Sequence, residues 1–334
     1  MVTDTMQREN KHPLMGKTVL LTGGTGSFGQ AFIRRILAET DATIRVFSRD
    51  ELKQYQVRER FGSERLRFMV GDVRDRRRLL RAANGVDVIV HAAAMKQVPA
   101  CEYNPFEAVQ TNVIGAQNVV EAAIDASVGV VVALSTDKAV NPVNVYGATK
   151  LCAEKIVVQG NVYAAGSSTQ LFCVRYGNVM GSRGSVIPLF IRQREEGRLT
   201  ITDERMSRFW ITLDEAVDLV INSLIDSQGG EIFVPKIPSM RIVDLADAIA
   251  PGIPRVVTGI RAGEKIHETL ITSDESRHAF DLGNRYVIMP ENARFTGDGK
   301  PLVDGWTYTS DTNDEWLSSA EIRKTLESWD NLVE

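Results

Sequence analysis

The segment from Lys17 to Ala38 constrains the fold more than any other. Lys17-Thr-Val-Leu-Leu-Thr22 reads as a buried strand, Gly23-Gly-Thr-Gly26-Ser-Phe-Gly29 as a turn, and Gln30 to Ala38 as a helix. Glycines at 23, 26 and 29 permit a tight strand-to-helix turn with close backbone approach, and they leave the helix N-terminus open to a pyrophosphate. A glycine triplet alone is weak evidence, but a strand before it and a helix after it supply the context that gives it meaning. A merely structural turn would not need three glycines at this spacing. Gly23, Thr25, Gly26, Ser27, Phe28 and Gly29 are therefore the expected dinucleotide contacts.

The alternation continues. The next strand, Thr43 to Phe47, should end beside an adenosine ribose, where a carboxylate would select NAD. Here the strand runs into Ser48-Arg49, with Lys53 a turn further on. Two cations and a hydroxyl suit a 2′-phosphate, so NADP is preferred to NAD. Asp50 could still reach a ribose hydroxyl, and Lys53 alone would pass for a solvated helix residue. Leu66 to Val70 is a strand ending at Gly71-Asp72-Val73, with Asp72 and Val73 expected at the adenine. Val86 to Val90 closes on His91-Ala92-Ala93-Ala94, whose small side chains let backbone lie against a cofactor. His91 reads as structural. A helix from Phe106 to Ala126 carries Asn112, expected to brace the strand ends and border the cofactor.

These periods specify an α/β fold, a Rossmann-type doubly wound parallel sheet with a smaller C-terminal substrate lobe. Residues 1–14 read as a disordered leader. Residues 15–176, with a returning segment at about 209–228, form the cofactor domain, and 177–208 with 229–334 form the lobe and tail.

The chain has 334 residues, a formal net charge of −4 and no run of apolar residues long enough for a membrane span, so neither nucleic acid nor a membrane is expected as partner. Cys101, Cys152 and Cys173 are scattered among apolar residues and read as small core residues of a cytoplasmic protein, with no metal site expected.

Chemistry concentrates in Ser135-Thr-Asp-Lys-Ala-Val-Asn-Pro-Val-Asn-Val-Tyr-Gly-Ala-Thr-Lys150. Tyr146 and Lys150 are four residues apart and share one helix face. A phenol has an ordinary pKa of about 10, and a fixed ammonium one turn away should lower it. Such a pair can take a proton from a sugar hydroxyl while a nicotinamide accepts the hydride. Thr136, Asp137 and Lys138, at the strand end, border the same space and add a second acid/base pair. In the lobe, Arg183, Arg205, Arg208 and Arg261 sit in loops expected to face the cleft, although solvated surface arginines are commoner. A substrate diphosphate would need about two such cations.

The glycine turn with Tyr-x-x-x-Lys resembles the extended short-chain dehydrogenase/reductases that modify nucleotide sugars. Several stretches are similar to the configuration-inverting UDP-N-acetylglucosamine 4,6-dehydratases: His91-Ala-Ala-Ala-Met-Lys-Gln-Val-Pro99, Glu102-Tyr-Asn-Pro105, Ser135-Thr-Asp-Lys-Ala139, Arg175-Tyr-Gly-Asn-Val179, Arg205-Met-Ser-Arg-Phe-Trp-Ile-Thr212 and Arg261-Ala-Gly-Glu-Lys-Ile-His-Glu268. Retaining sugar dehydratases have Asp-Glu where this chain has Asp137-Lys138. The chain departs from the subgroup at Met95-Lys96-Gln97, where Leu-Lys-His is common, and at Ala262, where Pro is. The resemblance implies NADP, a UDP-sugar substrate and a homo-oligomer, a hexamer or a dimer. It implies catalysis by Tyr146, Lys150, Asp137 and Lys138 with Thr136 or Ser135 orienting the sugar, and substrate contacts from Lys96, Tyr103, Asn178, Arg183, Arg205, Arg208, Arg261 and Glu264. Tyr103 could equally be structural support. A UDP-sugar 4-epimerase, which uses the Tyr-Lys pair alone, is the nearest alternative.

Overall fold

The computed structural model describes residues 12–182, 186–291, 293 and 295–333. The alternation runs β1 (Thr18–Thr22), α1 (Ser27–Glu39), β2 (Thr43–Ser48), α2 (Glu51–Phe61), β3 (Leu66–Val70), α3 (Arg76–Ala83) and β4 (Val88–His91). Two short helices, α4 (Val98–Tyr103) and α5 (Pro105–Ala108), lead through a π-helical turn at Val109–Ile114 into α6 (Gly115–Asp125). Then come β5 (Val130–Thr136), α7 (Val145–Tyr163) and β6 (Gln170–Tyr176). The expected helix across Phe106 to Ala126 is thus one unbroken helical run that carries a π-helical turn, in which Thr111 and Asn112 are buried.

The interior strands are near-continuous apolar runs, as strands covered on both faces must be. They pair in parallel in the order β3-β2-β1-β4-β5-β6. The order reverses between β1 and β4, which opens a crevice at the carboxyl ends of these strands. The glycine turn, the His91–Ala94 stretch and the Ser135–Lys138 segment all leave the sheet at that end.

Beyond β6 lie β7 (Asn178–Val179), α8 (Val186–Glu195), β8 (Leu199–Ile201), β9 (Ser207–Ile211), α9 (Leu213–Asp226), β10 (Ile232–Pro235), β11 (Ser239–Arg241) and α10 (Ile242–Ile249). The lobe has its own small core, in which Ile187, Phe190, Met206, Trp210, Met240 and Leu245 are buried together. The tail packs on it: Ile322, in the helix Ser319–Val333, is 1% exposed, and Arg323 Nε donates to the Ala248 carbonyl at 3.4 Å.

Four sequence expectations need correction. β10 joins the main sheet parallel to β6, and Ala279–Asp281, Arg285–Ile288 and Lys300–Pro301 extend it antiparallel beyond β10, although all were expected in the lobe. The return at 209–228 is made by α9, which packs against α1 with Arg34–Asp214 at 2.7 Å and Arg35–Asp218 at 2.6 Å, and by Phe209 and Ile211, buried in the main core, but β9 itself pairs with β7 and β11 and not with the main sheet. Leu14, expected in the leader, is fully buried in the main core; residues 1–11 of that leader lie outside the described residues. Cys101 and Cys173 are buried as expected, but Cys152 is exposed. Among the described residues no helix is long and apolar enough to cross a membrane.

Candidate active site

Gly23 follows β1 with φ +69, a left-handed conformation that side chains rarely adopt, and a Cβ there would lie 2.8 Å from Ala92 C and Ala93 N. The turn is thereby pressed against the Ala92–Ala93 backbone. Thr22 Oγ1 accepts from both of those amides at 3.2 Å and lies 2.8 Å from His91 Nδ1. His91 is buried, and desolvation, helped by the Lys150 charge, pushes its pKa down to about 3. It stays neutral and structural, as expected. Gly26 is the N-cap of α1 and offers no side-chain cap. The first-turn amides are therefore left for another acceptor, which suits a pyrophosphate.

A cavity of about 570 Å³ runs from this turn across the ends of β1, β4 and β5. It is lined by Gly23, Thr25, Gly26, Ser27, Phe28, Gly29, Ser48, Arg49, Lys53, Asp72, Val73, Ala92, Ala93 and Ala94, all expected cofactor contacts. Lys96, Thr136, Lys138, Tyr146, Lys150 and Asn178 line it as well. At the end of the cavity beside β2 and β3, Arg49 lies 3.7 Å from Asp72, Lys53 Nζ lies 3.0 Å from Asp50, and Asp50 also caps α2.

β5 delivers the candidate reacting residues. Its last residue, Thr136, accepts from the Lys138 amide at 3.3 Å and donates to Asp137 Oδ1 at 2.8 Å. Asp137 is fully buried, and Lys138 Nζ donates to the same Oδ1 at 3.0 Å. α7 then starts at Asn144, whose side chain caps the Gly147 amide at 2.7 Å and donates to the Gly263 carbonyl at 2.8 Å. Gly147 is where α7 meets the Asp137–Lys138 turn: a Cβ there would sit 2.1 Å from the Lys138 carbonyl oxygen. Lys150 Nζ donates to the Leu134 carbonyl at 2.7 Å, and burial pulls its pKa down. Ser135 Oγ, Asp137 Oδ2 and Asn178 Oδ1 are buried without a hydrogen-bond partner among the described residues, as groups awaiting a polar ligand would be.

The electrostatics differ from expectation in two ways. The phenol of Tyr146 is pushed up to about 12 by burial, against the Lys138 charge and a Thr136 hydrogen bond that act to lower it. Lys150, expected to lower it, is instead committed to the Leu134 carbonyl. Lys138, which a role as base at neutral pH would need depressed, has its pKa raised: burial alone would lower it, but the Asp137 and Glu268 carboxylates outweigh that.

Other expected residues stand away from the cavity. Asn112 is a brace, not part of the cavity wall: its side chain donates to Met95 O and Thr149 Oγ1 and accepts from Met95 N. Arg208 is buried and spends its guanidinium on the carbonyls of Ser207, Lys265 and Ile266. Arg205 is exposed and paired with Asp203 at 2.8 Å, and Arg261 is exposed 3.8 Å from Glu264. Tyr103 is 87% exposed. Arg183 lies outside the described residues. Sequence reasoning assigned no role to Thr111, Gln97, Tyr176 and Leu213, which line the cavity, or to Glu268, which is buried beside Lys138. Glu268 stood inside a quoted motif, but nothing local to it indicates a cation from the far end of the chain.

A family model described as polysaccharide biosynthesis protein matches residues 19–290. The chain belongs to that family. It is 47% identical to a UDP-N-acetylglucosamine 4,6-dehydratase (inverting) of Campylobacter jejuni, over 92% of this chain and 96% of that protein. It is also 43% identical to a protein of Rickettsia akari named UDP-glucose 4-epimerase, over 95% of this chain and 97% of the other. Among solved structures, Pen from Bacillus thuringiensis superposes with a TM-score of 0.89 at 40% identity, covering 95% of this chain and 99% of that one. The relatives thus carry both dehydratase and epimerase names, and the Asp137–Lys138 pair is what bears on the choice.

Proposed function

We propose that the protein is a UDP-N-acetylglucosamine 4,6-dehydratase that uses NADP and inverts carbon 5, giving a UDP-2-acetamido-2,6-dideoxy-hexos-4-ulose. The observation that carries this is the co-location of Tyr146 and Lys138 on one cavity that also takes in the glycine turn, with Asp137 buried behind Lys138 at 3.0 Å. The identity to the inverting dehydratase supports it.

The uncapped first turn of α1 and the close-packed Gly23 fit a dinucleotide, and Arg49 with Lys53 fits a 2′-phosphate better than a bare ribose. Bound there, the nicotinamide would accept the carbon 4 hydride and return it to carbon 6. The residues then divide the proton work. Tyr146 takes the 4-hydroxyl proton while Ser135 or Thr136 holds that oxygen. The 4-ketone acidifies the carbon 5 proton, which Lys138 removes. Asp137, entering this step protonated, gives its proton to the 6-hydroxyl as that leaves as water. A proton delivered to carbon 5 from the face opposite Lys138 then completes the inversion. Because the Tyr146 phenol is held high by burial, the step depends on charge that substrate and cofactor bring, with the Lys138 cation already acting to lower it.

Lys96 and Asn178, which line the cavity, are the substrate contacts it supports best, and Arg205, Arg261 and Glu264 are further candidates that stand outside it. Exposed Tyr103 and Phe106 suit burial against a second copy, consistent with a homo-oligomer. A cytoplasmic location fits a nucleotide-sugar substrate. A UDP-sugar 4-epimerase remains the second reading because of the rickettsial relatives, but it needs no acid–amine pair. Mass spectrometry separates the two: dehydration removes one water, and epimerisation leaves the mass unchanged.

A further inference from the structure

We propose that Glu268 is a positioning residue for the carbon 5 proton step: its carboxylate holds the Lys138 amine at the cleft and supplies the counter-charge that amine needs while it carries the sugar's proton. This rests on the dehydratase reading above.

Glu268 is 3% exposed. Its Oε1 lies 3.6 Å from Lys138 Nζ and 3.8 Å from Arg208 Nε, and its Oε2 lies 3.8 Å from Lys265 Nζ with no hydrogen-bond partner among the described residues. The backbone is fixed on both sides, since the Glu268 amide donates to Ser310 Oγ at 2.9 Å and its carbonyl accepts from the Ser310 amide at 2.8 Å. Lys265 is anchored elsewhere, donating to the Val140 carbonyl at 2.5 Å, and Arg208 is committed to backbone carbonyls. A structural ion pair for Lys138 needs one carboxylate, and Asp137 already provides it at 3.0 Å. A second buried carboxylate carries a desolvation cost that stability alone does not repay.

The chemistry gives the second carboxylate a use. Before the step, one proton passes from the Lys138 ammonium to Asp137, leaving a neutral amine and a protonated acid. The carbon 5–hydrogen bond then breaks. Its proton joins the Nζ lone pair, its electron pair enters the enolate of the 4-ketone, and the Asp137 proton leaves with the 6-hydroxyl as water. Lys138 thus gains positive charge in the step, and an ionised Glu268 favours that product side. The charged groups facing Glu268 are Lys138, Arg208 and Lys265, with Asp137 behind Lys138. Burial raises the Glu268 carboxyl, and the three cations oppose that rise.

The test is the pH dependence of deuterium incorporation at carbon 5 during turnover of UDP-N-acetylglucosamine with NADP. Glu268→Gln removes the anion and leaves Arg208 and Lys265 unbalanced, and both changes make Lys138 lose its proton more readily. The half-maximal pH of exchange should fall by roughly one unit or more, the plateau rate should drop about tenfold, and KM should be unchanged. Glu268→Asp should restore the limb. Lys265→Met, which removes a competing cation, should move the limb to higher pH and keeps the test alive if Glu268→Gln fails to fold. An unmoved limb in the folded variants, or a raised KM at constant kcat, overturns the role of Glu268 alone. Wild-type protein that removes no water overturns the dehydratase reading and this proposal with it.

Discussion

Asp137 and Lys138, adjacent in sequence, are also partners in space: Nζ of the lysine lies 3.0 Å from Oδ1 of a fully buried aspartate. Lys138→Ala should abolish deuterium incorporation at carbon 5 while leaving the first hydride step intact. Proton NMR of the product and nicotinamide absorbance during a single turnover measure the two separately. Exchange at the wild-type rate would remove Lys138 from the mechanism.

Tyr146→Phe should stop both hydride steps, lowering kcat by about a thousandfold or more, with substrate affinity little changed. Reduced nicotinamide accumulating normally in that variant would assign the first proton to another group.

Gly147 touches the Lys138 carbonyl so closely that any Cβ collides with backbone, which cannot swing away. Gly147→Ala should lower stability by about 1–3 kcal/mol and should reduce kcat as well, because the same contact sets Tyr146 against the Asp137–Lys138 turn. Thermal unfolding and steady-state kinetics on one preparation check both. An unaltered melting curve would contradict the contact.

His91 sets an acid limit on stability. In the unfolded chain it binds a proton near its ordinary value of 6.5, whereas burial holds it neutral in the fold down to about 3. The unfolded state therefore binds more protons across that window, and stability falls as pH drops from 6.5 toward 3, by up to about 5 kcal/mol. His91→Asn should flatten that part of the pH–stability curve in urea titrations. An unchanged slope would show that other groups set it.

Arg49→Ala and Lys53→Ala should each weaken NADP binding about tenfold and leave NAD binding almost unchanged, as read by calorimetry. Equal losses for both cofactors would place these cations away from a 2′-phosphate.

Much of the fold was legible because its signals are local. The strands β1 to β6 are short apolar runs, and Gly23, Gly26 and Gly29 mark a turn that few other structures require. The antiparallel edge was missed because Ala279–Asp281 and Lys300–Pro301 are too short to show a period. Within the site, the positions of Tyr146 and Lys150 followed from helical spacing. The electrostatics did not, because the raised phenol of Tyr146 depends on burial, and Lys138 is raised not only by Asp137, its neighbour in sequence, but by Glu268, which reaches it only through the fold. Arg208 misled for the same reason. Its charge is plain in the sequence, but the carbonyls of Lys265 and Ile266 that consume it arrive only through the fold.

The most direct measurement is incubation with UDP-N-acetylglucosamine and NADP in deuterated water, followed by mass spectrometry and NMR of the sugar ring. The expected product has lost one water, carries a 4-ketone and a methyl carbon 6, and bears deuterium at an inverted carbon 5. A product of unchanged mass, epimeric at carbon 4 and with protium retained at carbon 5, would contradict the assignment of the Asp137–Lys138 pair and leave a 4-epimerase.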